Sequence, residues 1–239
     1  MRWLTARQPD VLCLQELKAT EAQFPFDAVA EAGYKVAFHG QKTYNGVAIL
    51  AKTEPEDVRL GLDDGGDEMG ARVISARVGG LRVVNVYVVN GQVVGSLKYA
   101  AKLEWMRRLR AYLDARHRSS EKLVLCGDFN VAPEPRDVER PEEWASSVLF
   151  HADVRDALRH ILDFGFEDTL RLHTQEAGLY SWWDYRKLSF PKNDGLRLDL
   201  ILATAPAARL CTAASIDRTE RKGVQPSDHA PVLATFDIV

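Results

Sequence analysis

Arg72-Val-Ile-Ser-Ala-Arg-Val78, then Gly79-Gly80, then Leu81-Arg-Val-Val-Asn-Val-Tyr-Val88 reads as two β-strands joined by a tight turn. Alternating residues lead into the glycine pair and a β-branched run leaves it, the pattern of an antiparallel hairpin. On either side, short apolar runs recur at Val11 to Gln15, Tyr34 to Phe38, Gly46 to Ala51, Lys122 to Gly127, Gly178 to Trp182, Leu198 to Ala203 and Val232 to Phe236. Two helices stand among them. Lys98 to Arg116 sets Leu103, Met106, Leu109 and Leu113 on one face with Arg and Lys opposite, and Arg155 to Leu162 is stopped by Asp163-Phe164-Gly165. Residues 61 to 70 (Gly, Asp and Glu) and 131 to 147 (Pro and Glu) read as loops. About ten strands with helices between them predict a two-sheet α+β sandwich covered by helices. A doubly wound parallel sheet fits less well, because the hairpin is antiparallel and strand–helix alternation is not sustained.

With 239 residues the chain suits one large domain or two small ones, and no repeat or flexible linker divides it. Its hydrophobic fraction of 46%, with nine Phe, seven Tyr and five Trp, fills a sizeable core. A net charge of -3 does not advertise a nucleic-acid binder, so such a partner must meet a local basic face. Cys13, Cys126 and Cys211 lie in or beside apolar runs without metal-type spacing, and are expected to be reduced, buried thiols. No apolar stretch reaches membrane-spanning length and no signal-like start is evident, which predicts a cytoplasmic protein with no membrane partner.

Chemistry-bearing residues stand at the ends of predicted strands. Glu16 ends the apolar run Val11-Leu-Cys-Leu-Gln15, a strand expected to be central and buried. A carboxylate there is costly unless paired or bound to a cation, and hard metals such as Mg²⁺ take oxygen ligands. Asp128 and Asn130 follow Leu123-Val-Leu-Cys-Gly127 at alternate positions. The carboxylate suits proton abstraction from water; the amide either holds a phosphate oxygen or orients that carboxylate. Asp199, flanked by Leu198 and Leu200, needs a partner, and His229 beside Asp228 is the natural one. Tyr87, where a strand runs into Asn90-Gly91, is either a core aromatic or a hydroxyl donor to phosphate. The loop Lys42-Thr-Tyr44-Asn45 and the segment Trp182-Trp183-Asp-Tyr-Arg186-Lys187 are either core and rim or surfaces for sugar, base and backbone. Lys187, Lys192 and Arg197 extend that cationic run and suit phosphates.

These stretches together resemble the exonuclease III branch of the endonuclease/exonuclease/phosphatase superfamily, the abasic-site DNA repair nucleases. The resemblance is carried in order by Leu14-Gln-Glu16, Tyr44-Asn-Gly-Val-Ala48, Asn85 to Gly91, Gly127-Asp-Phe-Asn130, Tyr180 to Arg186, Gly195-Leu-Arg-Leu-Asp199 and Ser227-Asp-His-Ala-Pro231. It implies a four-layer α/β/β/α sandwich of two mixed β-sheets. It also implies a Mg²⁺- or Mn²⁺-dependent hydrolase that cuts DNA 5' to abasic sites and removes nucleotides or blocking groups from 3' ends, as a monomer on double-stranded DNA. By the same resemblance Glu16 binds the metal with Asp228 near it or its water, and Asp128 activates or orients the attacking water. Asn130 and His229 hold the phosphate with Asp199 behind, and Tyr87 lies against the phosphate or leaving group. Trp182, Leu196 and Leu198 line a pocket for a base-less sugar. Lys42, Tyr44, Asn45 and Arg186 face the DNA groove, and Asn90 and Trp183 complete the substrate contacts.

Two departures stand out. Members of the family open with a strand ending in Asn-Val-Asn or Asn-Leu-Asn, whereas this sequence opens at Met1-Arg-Trp-Leu4, within the helix that follows. The first strand is therefore expected to be missing, with association at the gap as one consequence. Val89 stands where a proline is expected before Asn90-Gly91, which leaves that loop less rigid. The competing readings are a catalytically weakened DNA-binding relative and a phosphoesterase acting on a phosphorylated small molecule or lipid.

Overall fold

A computed structural model describes residues 1–66 and 69–238; positions 67 and 68 of the expected 61–70 loop lie outside the described residues. The strands are β1 (Val11–Gln15), β2 (Lys35–His39), β3 (Val47–Ala51), β4 (Glu56–Leu60), β5 (Val73–Val78), β6 (Leu81–Tyr87), β7 (Leu123–Asp128), β8 (Phe166–Asp168), β9 (Asp199–Thr204), β10 (Cys211–Ile216) and β11 (Val232–Phe236). The helices are α1 (Arg2–Arg7), α2 (Phe26–Glu31), α3 (Leu97–Arg116), α4 (Pro141–Trp144), α5 (Ala152–Leu162), α6 (Thr169–His173), α7 (Ser189–Lys192) and α8 (Ala205–Ala208).

The hairpin read from sequence is β5–β6. Val78 pairs with Leu81 across Gly79-Gly80, whose φ values of 53° and 82° are those a two-residue turn of matching twist requires. It seeds a six-stranded sheet of order β4-β5-β6-β7-β9-β8. Within it β6 and β7 run parallel and the other neighbours antiparallel. One face carries the largest core, where Val84, Val86, Leu123, Leu125, Leu200 and Leu202 meet Trp105, Met106, Leu109 and Leu113 of α3 and Val154, Leu158 and Ile161 of α5. The other face meets a second β-layer in two antiparallel pieces, β1-β3-β2 and β10-β11. Outside β1 and β3 lie Leu4 of α1 and Val29 of α2. The result is the four-layer α/β/β/α sandwich that the resemblance implies. No helix among the described residues is long and apolar enough to cross a membrane.

Several details differ from the sequence reading. β1 is not central: among the described residues it pairs only with β3, and all five of its residues are half-buried. Its near-continuous apolar character reflects two faces that both pack, Leu12 and Leu14 outward against the helix side and Val11 and Cys13 inward. β11 pairs, among the described residues, only with β10. Gly178 to Trp182 forms no strand; Trp182 makes isolated bridges to Leu196 and His229 instead. β4, β8 and β10 escape the pattern because β4 is exposed throughout, β8 has three residues, and β10 is built of small residues. Lys102, counted by its charge with the polar side of α3, is fully buried. The three cysteines are free thiols, but only Cys126 is fully buried.

Candidate active site

Backbone register brings the key positions abreast. Tyr87 pairs with Asp128 across β6 and β7, and Asp128 with Asp199 across β7 and β9, all at one end of the large sheet. The second β-layer is locked to that end by Asn85, buried in the middle of β6. Its Nδ2 donates to the carbonyls of Leu14 (2.9 Å) and Ala48 (3.0 Å), and its Oδ1 accepts from Gln15 Nε2 at 2.6 Å. Glu16, one residue on and turned by a left-handed φ of 54°, thereby faces the same end as Asp128. The loop Ser227-Asp-His229 is laced to the segment before β9. Trp183 N donates to Asp228 O at 3.0 Å and Ala230 N to Ser181 O at 2.7 Å.

A cavity of about 220 Å³ results, lined by Glu16, Tyr87, Asn90, Asp128 and Asn130 on one side and by Leu149, Trp182, Leu198, Asp228 and His229 on the other. Asn130 is committed to its neighbours. Its backbone N donates to Asp128 Oδ1 (2.8 Å), and its Nδ2 donates to Asp128 Oδ2 (2.9 Å) and Val88 O (3.1 Å). Asn90 Nδ2 donates to Asn130 Oδ1 at 3.0 Å, one of its two N–H bonds. His229 Nδ1 meets Asp199 Oδ2 at 2.8 Å, and Asp228 Oδ2 accepts from the Trp182 indole at 2.9 Å. The Tyr87 ring lies under the Arg72 guanidinium, 4.9 Å from its centroid.

Burial and like charge set the protonation states. Desolvation, with the Asp199 charge opposite, outweighs the pull of His229 and pushes Asp128 up to about 7. His229 goes the other way from what its burial favours: Asp199, Asp128 and Asp228 raise it to about 10, so it is an imidazolium at neutral pH and Nδ1 donates to Asp199. Burial, then the charges of Glu16 and Asp128, push the Tyr87 hydroxyl far up, so it stays a donor.

The arrangement suits a divalent cation by its donor set. Asp128, Asp199 and His229 offer atoms within 4.8 Å of one another. His229 and Asp199 are bonded to each other and both oxygens of Asp128 to Asn130, whereas Glu16, whose Oε1 meets Lys18 Nζ at 3.1 Å, and Asp228, whose Oδ2 accepts from Trp182, each line the cavity and carry a second carboxylate oxygen. Oxygen donors of this kind fit Mg²⁺ or Mn²⁺.

Not every residue singled out from sequence reaches the cavity. Trp183 is fully buried against Tyr180, Phe190 and Ala230, so its indole has no face for a substrate. Leu196 is also fully buried; it backs Trp182 through a bridge rather than lining the pocket. Arg197 faces inward too, bound to Asp137 and Asp168 at 2.6 and 2.7 Å, so it meets no phosphate. Asn45 is mostly buried, with its carbonyl accepting from Lys18 N at 2.9 Å. Lys42, Tyr44 and Arg186 are exposed away from the cavity lining, Arg186 paired with Asp184 at 2.8 Å. Asn85, Leu149 and Ser181 were missed. Ser181 Oγ accepts from the backbone N of Leu198 and Asp199, both at 3.0 Å, and so seats the start of β9. Only Asn85, a polar residue inside an apolar strand, carries a signal visible in sequence.

Strand ends of a two-layer sandwich that gather four carboxylates, two amides and an imidazolium around one small cavity define a metal-assisted phosphoesterase. The chain belongs to the endonuclease/exonuclease/phosphatase family, whose pattern matches residues 1–229. It is 34% identical to the exodeoxyribonuclease III of Haemophilus influenzae over 96% of this chain and 90% of that protein. An AP endonuclease from Archaeoglobus fulgidus superposes with a TM-score of 0.95 at 43% identity, covering 99% of this chain and 92% of that one. A 3' phosphatase from Neisseria, solved bound to a product DNA hairpin, superposes at 0.93 with 40% identity and the same coverage.

Proposed function

We propose that this chain is a divalent-metal-dependent DNA phosphodiester hydrolase that nicks duplex DNA 5' to abasic sites and removes nucleotides or blocking groups from 3' ends. The single observation that carries this is the convergence of Asp128, the His229–Asp199 pair, Glu16 and Asp228 on one cavity with Trp182 and Leu198 as an apolar wall. Asp128, poised near neutrality, takes the proton of the attacking water. Asn130 orients that carboxylate rather than holding phosphate, since both its N–H bonds are spent. The His229 imidazolium and the remaining N–H of Asn90 meet the non-bridging phosphate oxygens, and the Tyr87 hydroxyl lies against the phosphate or the leaving oxygen. Glu16 and Asp228 would hold Mg²⁺ or Mn²⁺, which supplies charge neutralisation on the phosphate and an acidified water.

An abasic sugar has no base to unstack, so extruding it against Trp182 and Leu198 is cheap. Exodeoxyribonuclease III, AP endonuclease and 3' phosphatase names among the relatives share this chemistry and differ in what lies on either side of the phosphate. Lys42, Tyr44 and Arg186 are assigned to the DNA flanks, Arg186 after exchanging Asp184 for a phosphate. We include in the proposal a monomeric, cytoplasmic protein, the latter resting on three free thiols. The convergence of Glu16, Asp128, Asn130 and the His229–Asp199 pair speaks against a binding-only relative, and the Trp182 wall with the exposed cations Lys42 and Arg186 against a small-molecule or lipid phosphoesterase.

Purified protein with Mg²⁺ is expected to nick a duplex carrying one tetrahydrofuran abasic analogue, to stop on EDTA, and to resume when Mg²⁺ or Mn²⁺ is restored. Tight binding of that duplex with no nicking at any metal concentration would sink the assignment. The rate should follow a bell in pH, rising through about 7 as Asp128 loses its proton and falling through about 10 as His229 loses its own. An acid limb in the ordinary carboxylate range, near 4, would remove Asp128 as the base.

A further inference from the structure

Lys102 lies beneath the cavity with no exposed surface, on the core side of α3 among Tyr99, Trp105 and Met106. Its ammonium bonds no carboxylate among the described residues. Its three N–H bonds go instead to three backbone carbonyls: Asn130 O at 2.7 Å, Val148 O at 2.7 Å and Asn90 O at 3.0 Å. An ammonium has three donors, so the group is saturated. The acceptors belong to three separate loops. One follows β6 and carries Asn90, one follows β7 and carries Asn130 two residues after Asp128, and one precedes α5 and carries Leu149. All of these residues line the cavity.

Two further features mark the arrangement as built. Burying a charge without a bonded counter-ion is expensive, and a leucine or methionine would fill the same space at no such cost. Burial indeed lowers the ammonium to about 7, against the opposing pull of Asp128. Second, Gly91 lies flat on the lysine stem with φ 96°; a Cβ there would sit 3.0 Å from Lys102 Cδ and 3.6 Å from Val148 Cβ. The loop is pressed onto the side chain that tethers it. Val89, which lacks the fixed φ of a proline, leaves the path to Asn90 in need of such a tether.

We propose that Lys102 is a positioning residue of the phosphate site: its three hydrogen bonds clamp the loops bearing Asn90, Asn130 and Leu149 and so hold the Asn90–Asn130–Asp128 chain in the geometry that hydrolysis requires. The inference rests on the phosphodiester-hydrolase reading above. Lys102 touches no substrate; it acts through the backbone of residues that do.

The test compares Lys102→Met, which keeps the stem and loses the donors, with Lys102→Arg, which restores several donors. Both are assayed by single-turnover and steady-state nicking of the tetrahydrofuran duplex, with duplex affinity measured separately in EDTA. Lys102→Met is expected to lower kcat about 100-fold, the scale of a misplacement near 1 Å, while KM and affinity stay within about threefold. Lys102→Arg should recover at least about tenfold of that loss. A purely structural role would instead lower the active fraction and leave the rate per active molecule unchanged; that result, or a kcat within about twofold of wild type, overturns the proposal. Should Lys102→Met not fold, Lys102→Gln decides, because it keeps most of the stem and offers two donors in place of three: a kcat loss of about tenfold at unchanged affinity supports the clamp, and an unchanged kcat refutes it. A wild-type chain that binds but does not nick refutes the hydrolase reading itself, which separates the two failures.

Discussion

Asp128→Asn lowers nicking of the abasic duplex by about 10²- to 10⁴-fold, the range expected for loss of a positioned general base. The same substitution is expected to raise the melting temperature at alkaline pH, and this pairing of effects is its signature. The physical reason is the environment of Asp128, whose folded-state value of about 7 lies above its ordinary 3.8 because it is buried and faces Asp199. The folded state therefore binds more protons than the unfolded chain between those values, and stability falls as pH rises through that window. A neutral amide removes that penalty above neutrality and has little to remove at pH 4, where the carboxyl is largely protonated. One acceptor for Asn130 is lost in exchange, which offsets part of the gain at every pH. Thermal melts at pH 4 and pH 8 measure the difference. A variant less stable than wild type at pH 8 by more than at pH 4 would contradict the electrostatic account, whatever its activity.

His229→Ala is expected to cost a further large factor, about 10²- to 10⁴-fold in kcat, by removing the imidazolium from the phosphate. The residual activity should keep its acid limb and lose the alkaline limb near 10, because that limb belongs to His229. Here the linkage has the opposite sign from Asp128. The folded value of His229 lies above its ordinary 6.5, so its pairing with Asp199 stabilises the fold fully below 6.5, and the contribution disappears as pH rises towards 10. Deleting the ring leaves Asp199 partly buried without its partner, a loss of about 1–3 kcal/mol in the acid and neutral range. An unchanged nicking rate in a folded His229→Ala protein would remove the residue from the mechanism. A residual profile that still falls near 10 would reassign the alkaline limb to another group.

Both predictions depend on residues whose identity was legible, and the pairing of Asp199 with His229 was legible as well. Asp199 stood out as an acid inside Leu198-Asp-Leu200, and His229 by its neighbour Asp228; the fold places the pair 2.8 Å apart. Asn130 was read as either a phosphate ligand or an orienter of Asp128, and only its hydrogen bonds to Asp128 and Val88 separate these. The tryptophan pair shows the limit most directly. Trp182 and Trp183 are chemically identical neighbours, yet one walls the cavity and the other is fully buried behind it. A segment that is neither strand nor helix has no fixed period, so its sequence does not say which side chain faces which way.

Lys102 failed for a different reason. Charge alone put it on the solvent side of α3, although its spacing from Trp105, Met106 and Leu109 is that of the buried face. The three carbonyls that make its burial tolerable come from loops distant in the chain, and no local pattern announces them. The apolar run of β1 likewise suggests a central strand, whereas it packs on two faces while pairing along one edge.

Local alternation, the glycine pair at 79–80 and the chemistry at strand ends pointed to the hairpin, the sandwich class and Glu16, Asp128, Asn130, Asp199 and His229, because these depend on near neighbours and on the high cost of placing charge at the end of an apolar strand, whereas Asn90, Trp182 and Leu198 entered as substrate contacts only with the family resemblance. Distance and register decided the rest. Which carboxylate is raised, which amide is already committed, which indole is reachable and which lysine is a clamp all depend on groups far apart in sequence meeting within a few ångströms, where removal of water makes each contact strong enough to matter.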